Sequence, residues 1–158
     1  VTLPSSVTRI GSIAFKNCSS LTSINIPSSL TSIGSSAFDR CSSLTSITIP
    51  EGITIIDHYT FQDCSSLTSI TIPSSVTSIV YTAFSVCTKM ETINCLCSSA
   101  PTVINTTFGS KTSDYTGKDV TWPKTLYVPS GATGYDTGVW LDPLQNAEKC
   151  GFTLSATL

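Results

Sequence analysis

Charge is what this chain has least of. Only 11% of its 158 residues are Asp, Glu, Lys or Arg, less than half the roughly 25% of an average domain. The formal net charge is −2 and no basic run occurs. That argues against nucleic acid as a partner, because such binding rests on Lys and Arg neutralising phosphates. No apolar run approaches the ~20 residues of a membrane-spanning helix, and no amino-terminal signal peptide is present. The chain opens at Val1 and not at Met, so it reads as a processed product or a piece of something longer. No glycine-rich phosphate loop occurs, nor the Gly-x-Ser-x-Gly turn of a serine hydrolase.

Reactive side chains are equally sparse. His58 is the single histidine, and the positions equivalent to it, Ser12, Ser35 and Tyr81, are of exposed type, so a solvated surface imidazole is expected. Ser–His–Asp chemistry would need a Ser and an Asp converging on it; Asp57 is adjacent in sequence, but no nucleophile is signalled. Asp39, Glu51, Asp57, Asp63 and Glu91 are scattered, whereas glycoside cleavage needs two carboxyl groups in one cleft. The sequence therefore yields no catalytic, cofactor-binding or metal-binding set, and a non-enzymatic role is expected.

What is abundant is repetition. "CSSLTSITIP" occupies residues 41–50 and again 64–73, and residues 18–27 differ from it by one letter. Pro4, Pro27, Pro50 and Pro73 stand 23 residues apart, as do Phe15, Phe38, Phe61 and Phe84, and Cys18, Cys41, Cys64 and Cys87. Ile10, Ile33, Ile56 and Ile79 keep the same step, and so do Ile24, Ile47, Ile70 and Ile93. A 23-residue unit cannot bury its own apolar face. Stacked on its neighbours it presents each residue to a copy of itself, so a residue that packs well is reused in every turn. The 40% apolar content is enough for a core despite the Ser/Thr-rich surface, and the length suits one domain or one domain with an appendage.

Within a turn, "LTSITIP" is predicted to be a strand with Leu44, Ile47 and Ile49 inward and Thr48 outward by period-two alternation. Pro50 ends it. The return side is expected to bury Leu30, Ile33, Ala37, Phe38 and Cys41, with Gly11 and Gly34 at a tight bend. A period in the twenties carrying Leu-x-x-Ile-x-Ile is a leucine-rich-repeat pattern. The marks "IPSSLTSIGSSAFDRCSSLTSI", with Pro after the strand, an "IG…AF..C" return and a following "SSL", resemble the BspA-type leucine-rich repeat of bacterial and protist surface proteins. The resemblance covers residues 1–95, about four turns. It implies a leucine-rich-repeat solenoid with a parallel β-sheet on one face and short β, turn and 3-10 segments on the return side.

After Cys95 the regular period stops. Residues 96–158 read as a degenerate last repeat, with Phe108 in the role of the repeat's Phe, followed by a capping segment. The expectation is a mixed α/β cap: a strand at 126–128, a short turn or helix carrying Tyr135, then Trp140 and Leu144, and a final strand in the tail. Val1 occupies the position of Ile24, so further repeats or another domain of the same protein are expected upstream.

Cys18, Cys41, Cys64 and Cys87 fall at one inward position and read as stacked free thiols acting as small hydrophobes. They lie along a line, whereas a four-thiolate zinc site surrounds a point. Cys95, Cys97 and Cys150 lie near the cap, where a Cys97–Cys150 bridge and free thiols are both open. Asn17 and Asn105 begin glycosylation sequons, which a bacterial source would leave unused.

One surface remains as a candidate. Outward strand residues form a ladder of Asn25, Thr48, Thr71 and Asn94, flanked by Thr22, Thr45, Thr68 and Glu91 and by Ser23, Ser46, Ser69 and Thr92. It is read either as an exposed sheet kept soluble or as a flat interaction face. It lacks the Trp, Tyr and Arg that anchor tight binding, so contacts would be weak per repeat and gain by multiplicity. The resemblance implies a secreted or cell-surface adhesion module whose partner is a host matrix or cell-surface protein. The alternatives are a structural spacer carrying another domain, and sugar binding at the cap through Trp122, Trp140, Tyr115 or Tyr135.

Overall fold

A computed structural model of the chain describes residues 1–103, 125–135 and 153–155. Its strands, in chain order, are β1 (Arg9–Ile10), β2 (Ser32–Ile33), β3 (Ile55–Ile56), β4 (Ser69–Ile72), β5 (Ser78–Ile79), β6 (Thr92–Cys95), β7 (Thr102–Val103), β8 (Thr125–Tyr127) and β9 (Thr153–Ser155). Every pairing among them is parallel. The chain is a stack of like coils, as the repeat demands: coil 1 is residues 4–26, coil 2 is 27–49, coil 3 is 50–72 and coil 4 is 73–95. Each coil has a long strand arm, a short strand arm and a turn arm.

The long strand arms build the main sheet, in the order β4-β6-β8-β9. Register follows the repeat, with Ile70 opposite Ile93 and Thr71 opposite Asn94. The first coils join it through the single bridges Thr2–Asn25, Ser23–Ser46 and Thr48–Thr71. The short arms build a second ladder in two pieces, β1-β2 and β3-β5-β7. Inward residues fall where alternation puts them: Leu44, Ile47, Ile49, Leu30, Ile33, Ala37, Phe38 and Cys41 are all buried. The phenylalanines stack as near-parallel rings, with centroids 5.2 Å apart for Phe15–Phe38 and 5.5 Å for Phe38–Phe61 and Phe61–Phe84.

In the turn arm the backbone amides alternate between two jobs. Ile13, Phe15 and Asn17 donate to Ser35, Ala37 and Asp39 of the next coil, while Ala14, Lys16 and Cys18 donate three residues back within their own coil. The alternation needs left-handed backbone at two positions per coil: Ile13, Ser36, Tyr59 and Thr82 at φ 53–59°, and Asn17, Arg40, Asp63 and Val86 at φ 55–63°. These residues interrupt the three-back bonding at regular intervals, so the expected 3-10 segments do not develop; the return side is short strands and turns. The left-handed positions are not the glycines. Gly34 serves close approach instead, since a Cβ there would stand 2.5 Å from the Ser12 amide nitrogen.

The Ser/Thr abundance has a structural use. Ser29 Oγ donates to Val7 O (2.8 Å), Thr31 Oγ1 to Thr8 O (3.2 Å), Ser75 Oγ to Ile53 O (2.7 Å) and Thr77 Oγ1 to Thr54 O (3.2 Å). Each hydroxyl ties a coil to the one before it; Val7 O and Ile53 O gain a donor, and Thr8 O and Thr54 O gain a second one beside the Thr31 and Thr77 amides.

The C-terminal region corrects one expectation. Among the described residues there is no helix, so the α part of a mixed α/β cap is not supported. The expected strand at 126–128 exists as β8, the tail strand exists as β9, and Tyr135 lies in a turn. The main sheet runs on through both: Ile93 pairs with Leu126, and Leu126 with Leu154. Ala132 N bonds Pro129 O as Val76 N bonds Pro73 O, so "LYVPSGA" re-enacts "ITIPSSV". Phe108, Tyr115, Trp122, Trp140, Leu144, Cys150 and Asn105 lie outside the described residues.

Candidate functional site

The outward ladder is built by strand geometry alone. With Leu67, Ile70 and Ile72 buried, alternation turns Thr71 and its equivalents away from the core. Thr22, Ser23, Asn25, Thr45, Ser46, Thr48, Thr68, Ser69 and Glu91 are exposed, and Thr71, Thr92 and Asn94 are half-buried. The rows are in register, Ser69 beside Thr92 and Thr71 beside Asn94. Part of the polar surface serves stacking: Thr45 Oγ1 donates to Thr22 O at 3.3 Å. The row extends further than the repeat suggests. Asn94 is followed by Tyr127, half-buried, and Tyr127 by Ser155. Tyr127 therefore puts an aromatic ring in the ladder, the kind of residue the coils themselves do not supply there. The signal for it was "LYVP" matching "ITIP" letter class by letter class, obscured by the longer interval before it.

Cysteines form two groups. Cys41, Cys64 and Cys87 are buried free thiols, while Cys18 is half-buried. Burial pushes the Cys41 thiol up to about 11 and that of Cys87 to about 12, and it raises Cys64 well above its ordinary range. The second group is Cys95, Cys97 and Tyr135. Tyr135 Oη donates to Cys95 Sγ and to Cys97 O, both at 3.0 Å. Hydrogen bonding from the Cys97 thiol, then from Tyr135, holds Cys95 down at about 7 against its burial, whereas Cys97 is pushed up. Cys97 is a free thiol with Pro73 O and Val76 O within hydrogen-bond reach of its sulfur, and Cys150, the other half of the bridge left open by the sequence, lies outside the described residues. Tyr135, 2% exposed, fastens the segment after β8 to the end of β6. It offers no stacking platform to a sugar.

His58 is at the surface, as expected, with 51% of its side chain exposed. Asp57 Oδ1 accepts from the His58 backbone amide at 2.7 Å and lies 2.7 Å from Nδ1. The equivalent hydroxyl one coil back, Ser35 Oγ, donates to the His58 carbonyl oxygen at 3.0 Å and not to the imidazole, so an Asp–His pair stands without a serine on its ring. Among the described residues no group of three or more His, Cys, Asp or Glu is placed to hold a metal ion. No helix there is long and apolar enough to cross a membrane.

The model of the BspA type leucine rich repeat region matches residues 1–113 in six copies. Among solved structures, a leucine rich cell surface protein from Faecalibacterium prausnitzii A2-165 is 36% identical with a TM-score of 0.60, the match covering 64% of this chain and 27% of that one. A leucine rich repeat protein from T. pallidum is 30% identical with a TM-score of 0.65, covering 80% of this chain and 57% of that one. The chain thus spans less than two thirds of either relative. No curated protein matches it.

Proposed function

The chain belongs to the BspA-type leucine-rich-repeat family, and from that premise we propose that it is an extracellular, non-enzymatic interaction module of a bacterial cell-surface protein. The observation that carries this reading is the in-register outward row Asn25, Thr48, Thr71, Asn94, Tyr127 on one parallel sheet. A flat face of hydroxyl and amide groups makes many individually weak hydrogen bonds, with Tyr127 as its one aromatic anchor. The relative from F. prausnitzii is a cell surface protein, which supports the same placement for this chain. A matrix or cell-surface protein of a host is the partner this reading favours, engaged by many copies at once.

The test displays the chain in many copies on beads and measures retention on immobilised collagen and matrix glycoproteins. Ser46→Glu and Thr48→Glu, two exposed changes on the ladder, should abolish retention while leaving the melt unchanged. Retention indifferent to these charges would remove the ladder from the reading. A spacer role is the second reading, favoured by the use of Thr45 Oγ1 in coil-to-coil bonding; it expects no retention on any matrix probe.

A further inference from the structure

Coil 3 departs from coil 2 chiefly over residues 51–60. Residues 64–73 copy residues 41–50 without change, but residues 51–60 read Glu-Gly-Ile-Thr-Ile-Ile-Asp-His-Tyr-Thr where coil 2 has Ser-Ser-Leu-Thr-Ser-Ile-Gly-Ser-Ser-Ala. A stacked coil is stabilised by copying its neighbour, so stacking does not account for a departure concentrated in this way.

The departure opens a seam. Between coils 1 and 2 the short arms are joined by Thr31 N to Thr8 O and Gly34 N to Ile10 O, both 2.9 Å, with the Ser29 and Thr31 hydroxyls alongside. Between coils 3 and 4 the same set recurs: Thr77 N to Thr54 O, Val80 N to Ile56 O, and the Ser75 and Thr77 hydroxyls. Between coils 2 and 3 none of the equivalents forms, and β2 does not pair with β3. Gly52 has no hydroxyl to give, and its backbone comes so near Leu30 that a Cβ would stand 2.4 Å from the carbonyl oxygen. What is left is a cleft of about 170 Å³ lined by Thr31, Ser32, Ile33, Thr54, Ile55 and Asp57. Its walls carry backbone polar groups that their counterparts at the other seams have paired, and such groups seek partners.

Two residues after Asp57, which lines the cleft, an aromatic pair begins at Tyr59. Tyr59 N bonds Tyr81 O, and the two rings meet edge to face with centroids 5.9 Å apart. They remain 37% and 41% exposed. His58 lies against Tyr59 at 6.3 Å and is held by Asp57. The rings brace one another, so they offer rigid apolar area at little entropic cost.

We propose that this cleft and its tyrosine pair bind a neutral saccharide. Tyr59 and Tyr81 present a stacking surface for the apolar face of a sugar ring. Asp57 and the open backbone groups of the seam accept and donate to its hydroxyls, the carboxylate bond being charge-assisted. No Lys or Arg lines the cleft and Asp57 is at its edge, which disfavours acidic sugars. Flanking strands of two residues offer no edge long enough for an extended peptide. The site lies on a different arm from the outward ladder and stands independently of it.

The experiment is saturation-transfer-difference NMR on the whole chain with lactose, cellobiose, N-acetyllactosamine and mannobiose as probes, and with sialyllactose and a Ser/Thr-rich peptide as contrasts, followed by titration of the best binder. At least one neutral disaccharide should give transfer. Tyr59→Ala and Tyr81→Ala should each weaken it about tenfold, the loss of one aromatic contact, and Asp57→Asn should weaken it as well. Thr48→Glu on the ladder should leave it unchanged. Both tyrosines are surface residues, and melts of the variants check that they stay folded. Absence of transfer from every neutral probe, wild-type affinity in both tyrosine variants, or tighter binding of sialyllactose or the peptide would each overturn the proposal.

Discussion

The Cys64 thiol donates to the carbonyl oxygen of Phe38, one coil back, at 3.3 Å. Cys41 does the same to Phe15 at 3.1 Å and Cys87 to Phe61 at 3.2 Å. Each of these carbonyls also takes the amide of the cysteine in its own coil, as Phe38 O takes Cys41 N at 3.1 Å. The thiol is thus small enough for the core and still polar enough to satisfy a second lone pair there, which alanine or valine would leave open.

Alkaline pH should expose this arrangement. The unfolded thiols ionise near 9.0, whereas folded Cys41 does so at about 11 and folded Cys87 at about 12. Folded values raised above unfolded ones mean that the contribution is complete below pH 9 and is lost as pH rises toward the folded values. The denaturation midpoint should therefore fall from about pH 9 upward, less steeply in Cys87→Ala. A midpoint flat up to pH 11 would contradict the buried assignment. Native-state alkylation at neutral pH should label Cys18 and spare Cys41, Cys64 and Cys87, as read by mass spectrometry.

Phe61 sits fully buried between two stacked copies of itself. Phe61→Ala should cost about 3–5 kcal/mol in denaturant unfolding, the transfer loss plus the cavity. Thr48→Ala, on the exposed ladder, should stay within about 0.5 kcal/mol. Similar losses from the two would mean that inside and outside have been exchanged.

Glu51 accepts from Ser74 Oγ at 2.9 Å and from the amides of Ser74 and Ser75. The Ser74 hydroxyl foremost holds its carboxyl below the ordinary 4.5. A lowered folded value makes the contribution present above pH 4.5 and lost as pH falls through the folded value. The group is at the surface, so the effect is small. The stability gap between the wild-type chain and Glu51→Gln should narrow below pH 4.5. A gap that widens on acidification would reverse the assignment.

Ile13 holds a left-handed backbone, φ 59°, while 61% exposed. A β-branched residue is strained there, whereas Asn accepts the conformation readily. Ile13→Asn should raise stability by roughly 0.5–1 kcal/mol, visible as a higher melting temperature. A lower one would show that the Ile13 side chain makes a contact worth more than the strain.

Leu44, Ile47, Phe38 and Cys41 were legible because each packs against its own copy, so the period itself reports the inward set. The outward row followed by alternation. Leu126 and Leu154 extend the same sheet but arrive at intervals longer than the repeat, which hides them from a search for a fixed step. The left-handed residues were invisible for a different reason. Their conformation is imposed by the alternating hydrogen bonds of the turn arm and is held by Ile13, Tyr59 and Val86 as well as by Asn17, with no glycine to mark it. The open seam at Gly52 and Asp57 could be seen only as a lapse in copying, because which bonds fail depends on how two coils meet.

The coil-to-coil bonds join residues 23 apart, such as Thr31 to Thr8 and Thr77 to Thr54, and residues 41–50 and 64–73 are interchangeable. Removing or duplicating one whole unit by unequal recombination would therefore leave the surviving joints chemically as they were. Length becomes a quantity that evolution can adjust without redesigning the cross-section, and the span of the solenoid is tuned by counting coils.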